Sequence, residues 1–161
     1  MVTSSVFLPD GVRTAMSTWE QQAISEGIDM FAVGALVRKG GAVLIMQRNS
    51  DDFLPDMFEI PGGSVEEGET LLDALERELR EETSLSLAQV LRVIEGFDYM
   101  SEHLRLVRQL NFEVETIESD VVHHPEHQAV AWVDAETIDT FPMSTEMKTV
   151  VQRALSANDE H

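Results

Sequence analysis

The stretch GGSVEEGETLLDALERELREETSL, residues 62–85, decides the fold. A Pro-Gly-Gly turn at 61–63 runs into a helix signal, Thr70 followed three residues later by Asp73, a pair that can cap a first turn from both directions. Leu71, Leu72, Leu75 and Leu79 recur at helical spacing and give a helix from Thr70 to about Glu82 one apolar stripe. Glu78, Glu81 and Glu82 stand at i, i+3 and i+4. At about 100° per residue they project within a sector of roughly 100°. Like charges at these spacings repel by about 0.2–0.5 kcal/mol per pair. Only Arg77 and Arg80 are interleaved, and the helical angles aim both off the shared face. Glu82 also borders the stripe of Leu75 and Leu79. Clustered acids beside an apolar face suit a hard cation that takes oxygen ligands. A solvated acidic face is the competing reading. The turn ahead of the helix, Glu69 at its start and Arg77 just before the first carboxylate weigh against it.

Upstream, two β-rich apolar runs, Phe31–Arg38 and Ala42–Arg48, flank Gly40-Gly41 and read as a hairpin. The segment DDFLPDMFEIPGGS, with Pro55, Pro61, Gly62 and Gly63, reads as a sharply turning loop. Downstream, β runs are expected at Leu87–Phe97, Leu104–Glu115 and Ala129–Val133. Phe141-Pro142 breaks the chain. Ser144 then caps a last helix with Met147, Val150, Val151, Ala154 and Leu155 on its inner face. Strands and helices do not alternate regularly. The fold class is therefore α/β of the α+β kind, a mixed sheet with helices packed on it, rather than a doubly wound sheet. Residues 1–29 read as an N-terminal arm, 30–157 as the main domain and 158–161 as a tail. Within the arm, Ser17 or Thr18 would cap a short helix through Glu26, ended by Gly27. The arm covers a sheet edge or joins a homodimer interface, and the sequence leaves both open.

Bulk composition bounds the function. The chain has 161 residues, 43% apolar and 25% charged, enough for a packed core. Eleven Lys and Arg stand against thirty Asp and Glu, a formal charge of −19, so contact with nucleic acid or an anionic membrane is not expected. A polyphosphate would be repelled too, unless divalent cations intervene. No cysteine is present, which removes disulfides and thiolate metal sites. No targeting segment is visible at the N-terminus and the apolar run Phe31–Val37 is too short to span a bilayer, so a soluble, cytoplasmic protein is expected.

Residues 62–85 resemble the box of the Nudix hydrolase family, G-x5-E-x7-R-E-U-x-E-E-x-G-U with U aliphatic. Gly63, Glu69, Arg77-Glu78-Leu79, Glu81-Glu82 and Leu85 match, eight of nine fixed positions, and Ser84 stands where the pattern has Gly. That position follows the helix, where a left-handed cap is common. Serine there costs roughly 1 kcal/mol if the conformation is kept.

The resemblance implies a Nudix-like α/β/α sandwich whose loop–helix–loop box holds Mg²⁺ or Mn²⁺. It implies Glu78, Glu81 and Glu82 as metal ligands and catalytic residues, with the backbone carbonyl of Gly62 or Gly63 as a further ligand. Glu69 and Arg77 would brace the loop and orient the carboxylates. Family members often add an acid from a later loop, and HPEHQAVAWVD resembles that region. Glu126, six positions before Trp132, is the candidate outlying ligand or general base, and Glu78 the other candidate base. Arg48 is a candidate phosphate contact, and Phe58, Phe97 and Tyr99 are candidates to stack on a base, with ordinary surface or core roles as the alternatives.

The implied activity is cleavage of a pyrophosphate bond in a small-molecule nucleotide, of the kind carried out by MutT-like enzymes. The Pro typical of ADP-ribose hydrolases beyond the box is absent, Asp98, Tyr99 and Met100 standing there instead. A nucleoside triphosphate is the substrate class that remains. Nucleoside-diphosphate sugars and dinucleoside polyphosphates are the alternatives, and a catalytically inactive nucleotide-binding module is the non-enzyme reading. A transition-metal site at His123, His124 and His127 is a further alternative.

Overall fold

The computed structural model describes residues 6–51, 55–101, 103–121 and 127–158. The chain runs through α1 (Asp10–Ser25), β1 (Met30–Lys39), β2 (Ala42–Arg48), β3 (Phe58–Glu59), β4 (Gly62–Ser64), α2 (Leu71–Thr83), β5 (Leu87–Met100), β6 (Leu106–Thr116), β7 (His127–Val133), a 3-10 turn (Ile138–Thr140) and α3 (Thr145–Asn158). Among the described residues the strands form one mixed sheet with the path β3-β2-β1-β6-β5, β4 pairing with β1 and β7 with β2. β1 is the hub. Residues 30–37 run parallel to β6, residues 32–34 pair antiparallel with β4, and Arg38 and Lys39 turn back through the Gly40-Gly41 hairpin onto β2.

Side-chain alternation along the strands makes two cores. Val33, Ala35 and Val37 of β1 and Leu110, Phe112 and Val114 of β6 face α1 and α2, where they meet Val12, Met16, Leu71, Leu75 and Leu79. Leu36 of β1 and Val43 and Ile45 of β2 face the other side and meet Val150, Val151, Ala154 and Leu155 of α3. Helices thus cover both faces of the sheet, the expected α/β/α sandwich. Ser144 caps α3 as expected, its Oγ accepting from Met147 N at 3.2 Å.

Two elements differ from their sequence reading. The helix of the N-terminal segment starts at Asp10, not at Ser17 or Thr18. Pro9 at φ −57° enters the helix without a side-chain cap, and Asp10 places an acid in the first turn. The stripe Val12, Met16, Trp19 and Ala23 then runs uninterrupted into the core. Ahead of it, Phe7 exchanges backbone hydrogen bonds with Ala88 and Val90 at 3.1 Å, so this segment covers the outer edge of β5. The loop before the acidic helix is also more ordered than expected. Its residues form β3 and β4, and β4 brings Gly62 and Gly63 alongside β1.

Candidate active site

α2 begins with the full capping box: Thr70 Oγ1 accepts from Asp73 N at 3.0 Å and Asp73 Oδ2 from Thr70 N at 3.1 Å. It ends at Ser84, which takes the left-handed conformation at φ 65° and ψ 13° and bonds to Arg80 O, so the serine adopts the strain the glycine pattern avoids. Between these caps Leu71, Leu75 and Leu79 bury against the sheet, while Leu72 is half-buried at the margin. Core packing therefore fixes the helix's rotation and fixes where its acids point.

Glu82 sits on the buried margin and is 7% exposed. Its Oε1 accepts from Gly62 N at 3.1 Å, and its Oε2 lies 3.7 Å from His127 Nε2. It is also hydrogen-bonded to the Glu78 carboxyl. Burial foremost, then Glu78, push the Glu82 carboxyl up to about 9 against the opposing pull of the Gly62 N–H. Burial thus disfavours the charged form of Glu82, with the Gly62 N–H, the Glu78 carboxyl and His127 as its polar neighbours.

The glycines make that closeness possible. A Cβ on Gly63 would lie 2.4 Å from Glu78 Oε1, and one on Gly62 would lie 2.2 Å from Val33 O. Ladder bonds from Ala35 N to Pro61 O and from Val65 N to Phe31 O place alternate residues of the turn against β1. In an extended segment the N–H and C=O of one residue face the same edge. Gly62 therefore turns its carbonyl to the side where its N–H meets Glu82.

Arg77 corrects the sequence reading, which aimed it off the acidic face. Its Nε and Nη2 donate to the two oxygens of Glu69 at 2.7 and 2.9 Å, and Nη2 also donates to Ser64 O at 3.1 Å. Its Nη1 donates to Glu78 Oε1 at 2.8 Å and to Glu81 Oε2 at 3.4 Å. The helical angle fixes only the direction of Cβ, and a long side chain with five donors reaches round the turn. The bidentate Arg77 contact holds the Glu69 carboxyl down at about 2 and pushes the guanidinium itself above its usual range. Glu69 also accepts from Glu66 N at 2.8 Å, so one arginine ties the β4–α2 loop to two of the helix acids.

Among the described residues no three acid or histidine side chains are gathered to hold a metal. Glu78 and Glu82 touch, while the Glu81 side chain is 59% exposed. The donor set fits a hard divalent cation: carboxylate oxygens, a backbone carbonyl edge, and a buried acid whose charged form burial disfavours.

Of the other expected residues, Arg48 is committed to Glu59, its Nη1 donating to Oε1 at 2.7 Å. Phe58 packs edge-on against Phe141 at 5.0 Å, beside the α3-facing core. Tyr99 is half-buried, 6.0 Å from Phe97, and its hydroxyl is pushed above its usual range by burial and by Glu59. Glu126, with His123 and His124, lies outside the described residues. Sequence reading missed Glu59 and assigned His127 only to a histidine cluster. The signal for Glu59 was a lone acid in the apolar stretch 57–60, just ahead of Pro61.

The fold matches solved hydrolase structures. The MutT protein from Methanosarcina mazei Go1 superposes with a TM-score of 0.69 at 21% identity, over 82% of this chain and 96% of that one. The E. coli ORF135 protein superposes with a TM-score of 0.66 at 22% identity, over 85% and 96%. The family model for the NUDIX domain matches residues 29–154, and the chain belongs to the Nudix hydrolase family. Relatives in sequence include the nucleoside triphosphatase NudI of Enterobacter sp. (strain 638), 30% identical over 74% of this chain and 93% of that protein. The CTP pyrophosphohydrolase of Escherichia coli (strain K12) is 27% identical over 70% and 81%. Divalent cations are the family's usual cofactors, and among the described residues no helix is long and apolar enough to cross a membrane.

Proposed function

We propose that the chain hydrolyses a phosphoanhydride bond of a nucleoside triphosphate, with Mg²⁺ or Mn²⁺ held by Glu78, Glu81, Glu82 and the Gly62 carbonyl. The observation that carries this reading is the buried Glu82 carboxyl in contact with Glu78, beside a glycine turn with room for no side chain. Burying the Glu82 carboxyl beside a second acid is unfavourable, which points to an ion there. The two relatives named above, each matching most of its own length, are named for nucleoside triphosphates or CTP, and this favours the triphosphate class.

When bound, the cation supplies charge neutralisation for the phosphates and acidity for water. The protein's own part is positioning. Arg77 fixes Glu78 and Glu81 through Nη1 while Glu69 clamps its other edge. The Gly62 N–H fixes Glu82. Water forms a new P–O bond, the bridging P–O bond breaks, and its electron pair leaves with the departing phosphate. A carboxylate takes the water's proton. Glu78 lies at the site for this role, and Glu126 is the alternative from the later loop.

The test is a panel of nucleoside triphosphates, nucleoside-diphosphate sugars and dinucleoside polyphosphates, with products read by mass spectrometry in ¹⁸O-water. Expected is ¹⁸O-labelled product from a triphosphate, lost in EDTA and restored by Mg²⁺ or Mn²⁺. Faster turnover of a sugar nucleotide or dinucleotide would replace the substrate class. No turnover of any compound with either metal would favour a binding module.

A further inference from the structure

Two of the polar groups at Glu82, the Gly62 N–H and the Glu78 carboxyl, belong to the box. A third, outside it, is His127, the first residue of β7, which is 6% exposed. β7 pairs with β2, and the register slips between Gln47 and Arg48, so that Arg48 stands opposite His127. Such a bulge re-aims the side chains beside it. On the other edge of β2, Glu59 of β3 pairs with Met46. Three adjacent strands thereby bring Arg48, Glu59 and His127 together beneath α2. Arg48 Nη1 donates to Glu59 Oε1 at 2.7 Å, Glu59 Oε2 lies 3.2 Å from His127 Nε2, and the same nitrogen faces Glu82 Oε2 at 3.7 Å.

The tautomer follows from the surroundings. Among the described residues the buried His127 Nδ1 has no hydrogen-bond partner, whereas Nε2 faces two carboxyl groups. An orphaned acceptor is tolerated better than an orphaned donor, so the ring proton belongs on Nε2, between Glu59 and Glu82. Arg48 restrains Glu59, Glu59 restrains the ring, and the ring limits where the outer oxygen of Glu82 can lie.

We propose that His127, braced by Glu59 and Arg48, is a positioning residue for Glu82, holding its Oε2 for the divalent cation while the Gly62 N–H holds Oε1. This rests on the metal reading of the site given above. It also gives Arg48 a structural task at the site in place of the phosphate contact expected from sequence.

The experiment uses the full chain and Mn²⁺ alone, with affinity read by calorimetry or by the free-ion EPR signal, and folding read by Tm. The expected results are that His127→Ala weakens Mn²⁺ binding about 10–100-fold, the range for partners of metal ligands, and that His127→Gln, whose side-chain amide can donate from the place of Nε2, stays within about 3-fold of wild type. A histidine that merely fills space would not show this rescue. Glu59→Gln reads the same arm from its far end and should weaken Mn²⁺ binding several-fold, which keeps the test open should His127→Ala fail to fold. Wild-type affinity in His127→Ala or Glu59→Gln, or equal loss in His127→Gln and His127→Ala, would overturn the inference while leaving the proposed function standing. A wild-type chain that binds no Mn²⁺ would overturn both.

Discussion

Gly62 and Gly63 are neighbours, yet alanine at each should fail in a different way. At Gly63 the added Cβ would lie 2.4 Å from Glu78 Oε1 and 2.5 Å from its carboxyl carbon. Real Cβ contacts essentially never fall below 3.0 Å, so the carboxylate must retreat by at least 0.6 Å. The obstacle is the end of a side chain, which can swing, so the fold should lose less than about 1 kcal/mol. The site cannot absorb the movement so easily, because misplacement by about 1 Å can cost on the order of 100-fold in rate. Gly63→Ala should therefore lower kcat by about 10–100-fold with a near-native Tm. At Gly62 the obstacle is backbone, Val33 O at 2.2 Å and Gly34 Cα at 2.9 Å. Strands β1 and β4 would have to part, at about 1–3 kcal/mol. In a domain of this size each kcal/mol lowers Tm by about 2–4 °C. Phosphate release and thermal unfolding, measured on both variants, separate the two effects. Wild-type turnover in Gly63→Ala would refute the placement of Glu78 at the reacting centre.

Ser84→Gly should stabilise the protein by up to about 1 kcal/mol, because glycine takes the left-handed conformation without strain; a fall in Tm would show that the serine is better accommodated than its φ of 65° implies. Glu69 is held down at about 2 by Arg77, so its folded form keeps a charge that an unfolded carboxyl near 4.5 would lose. Its contribution to stability is complete above about pH 4.5 and is lost as pH falls towards 2. Thermal unfolding across that range should be flatter in Glu69→Gln than in wild type, and parallel curves would contradict the pairing. Glu82→Gln keeps an acceptor for the Gly62 N–H but carries no charge, so turnover should fall at least about 100-fold with Tm held or raised. A folded Glu82→Gln enzyme with an undiminished rate would remove Glu82 from the metal site.

What was legible in the sequence was whatever depends on periodicity and local chemistry. The Gly40-Gly41 hairpin, the Thr70–Asp73 box and the buried edge at Glu82 follow from residues within a turn or two of one another, while the conformation of Ser84 was left open. The start of α1 was misplaced because Pro9 and Asp10 carry no hydroxyl cap, the signal usually sought. β3 and β4 were hidden because glycine and proline mark a loop unless a partner strand is known, and their partners lie up to 32 residues upstream. The direction of Arg77 was misjudged because rotation about the helix axis says nothing of a guanidinium several bonds away. Glu59 and His127 meet only through strand pairing, 68 positions apart in sequence, and no local pattern joins them.

The most direct measurement is the anomalous difference density of crystals soaked in Mn²⁺. The account predicts a peak about 2.0–2.2 Å from carboxylate oxygens of Glu78 and Glu82 and from the Gly62 carbonyl, with Glu81 drawn inward from solvent. Soaked crystals that diffract well but show no peak there, with Glu82 still bonded to Glu78, would contradict it.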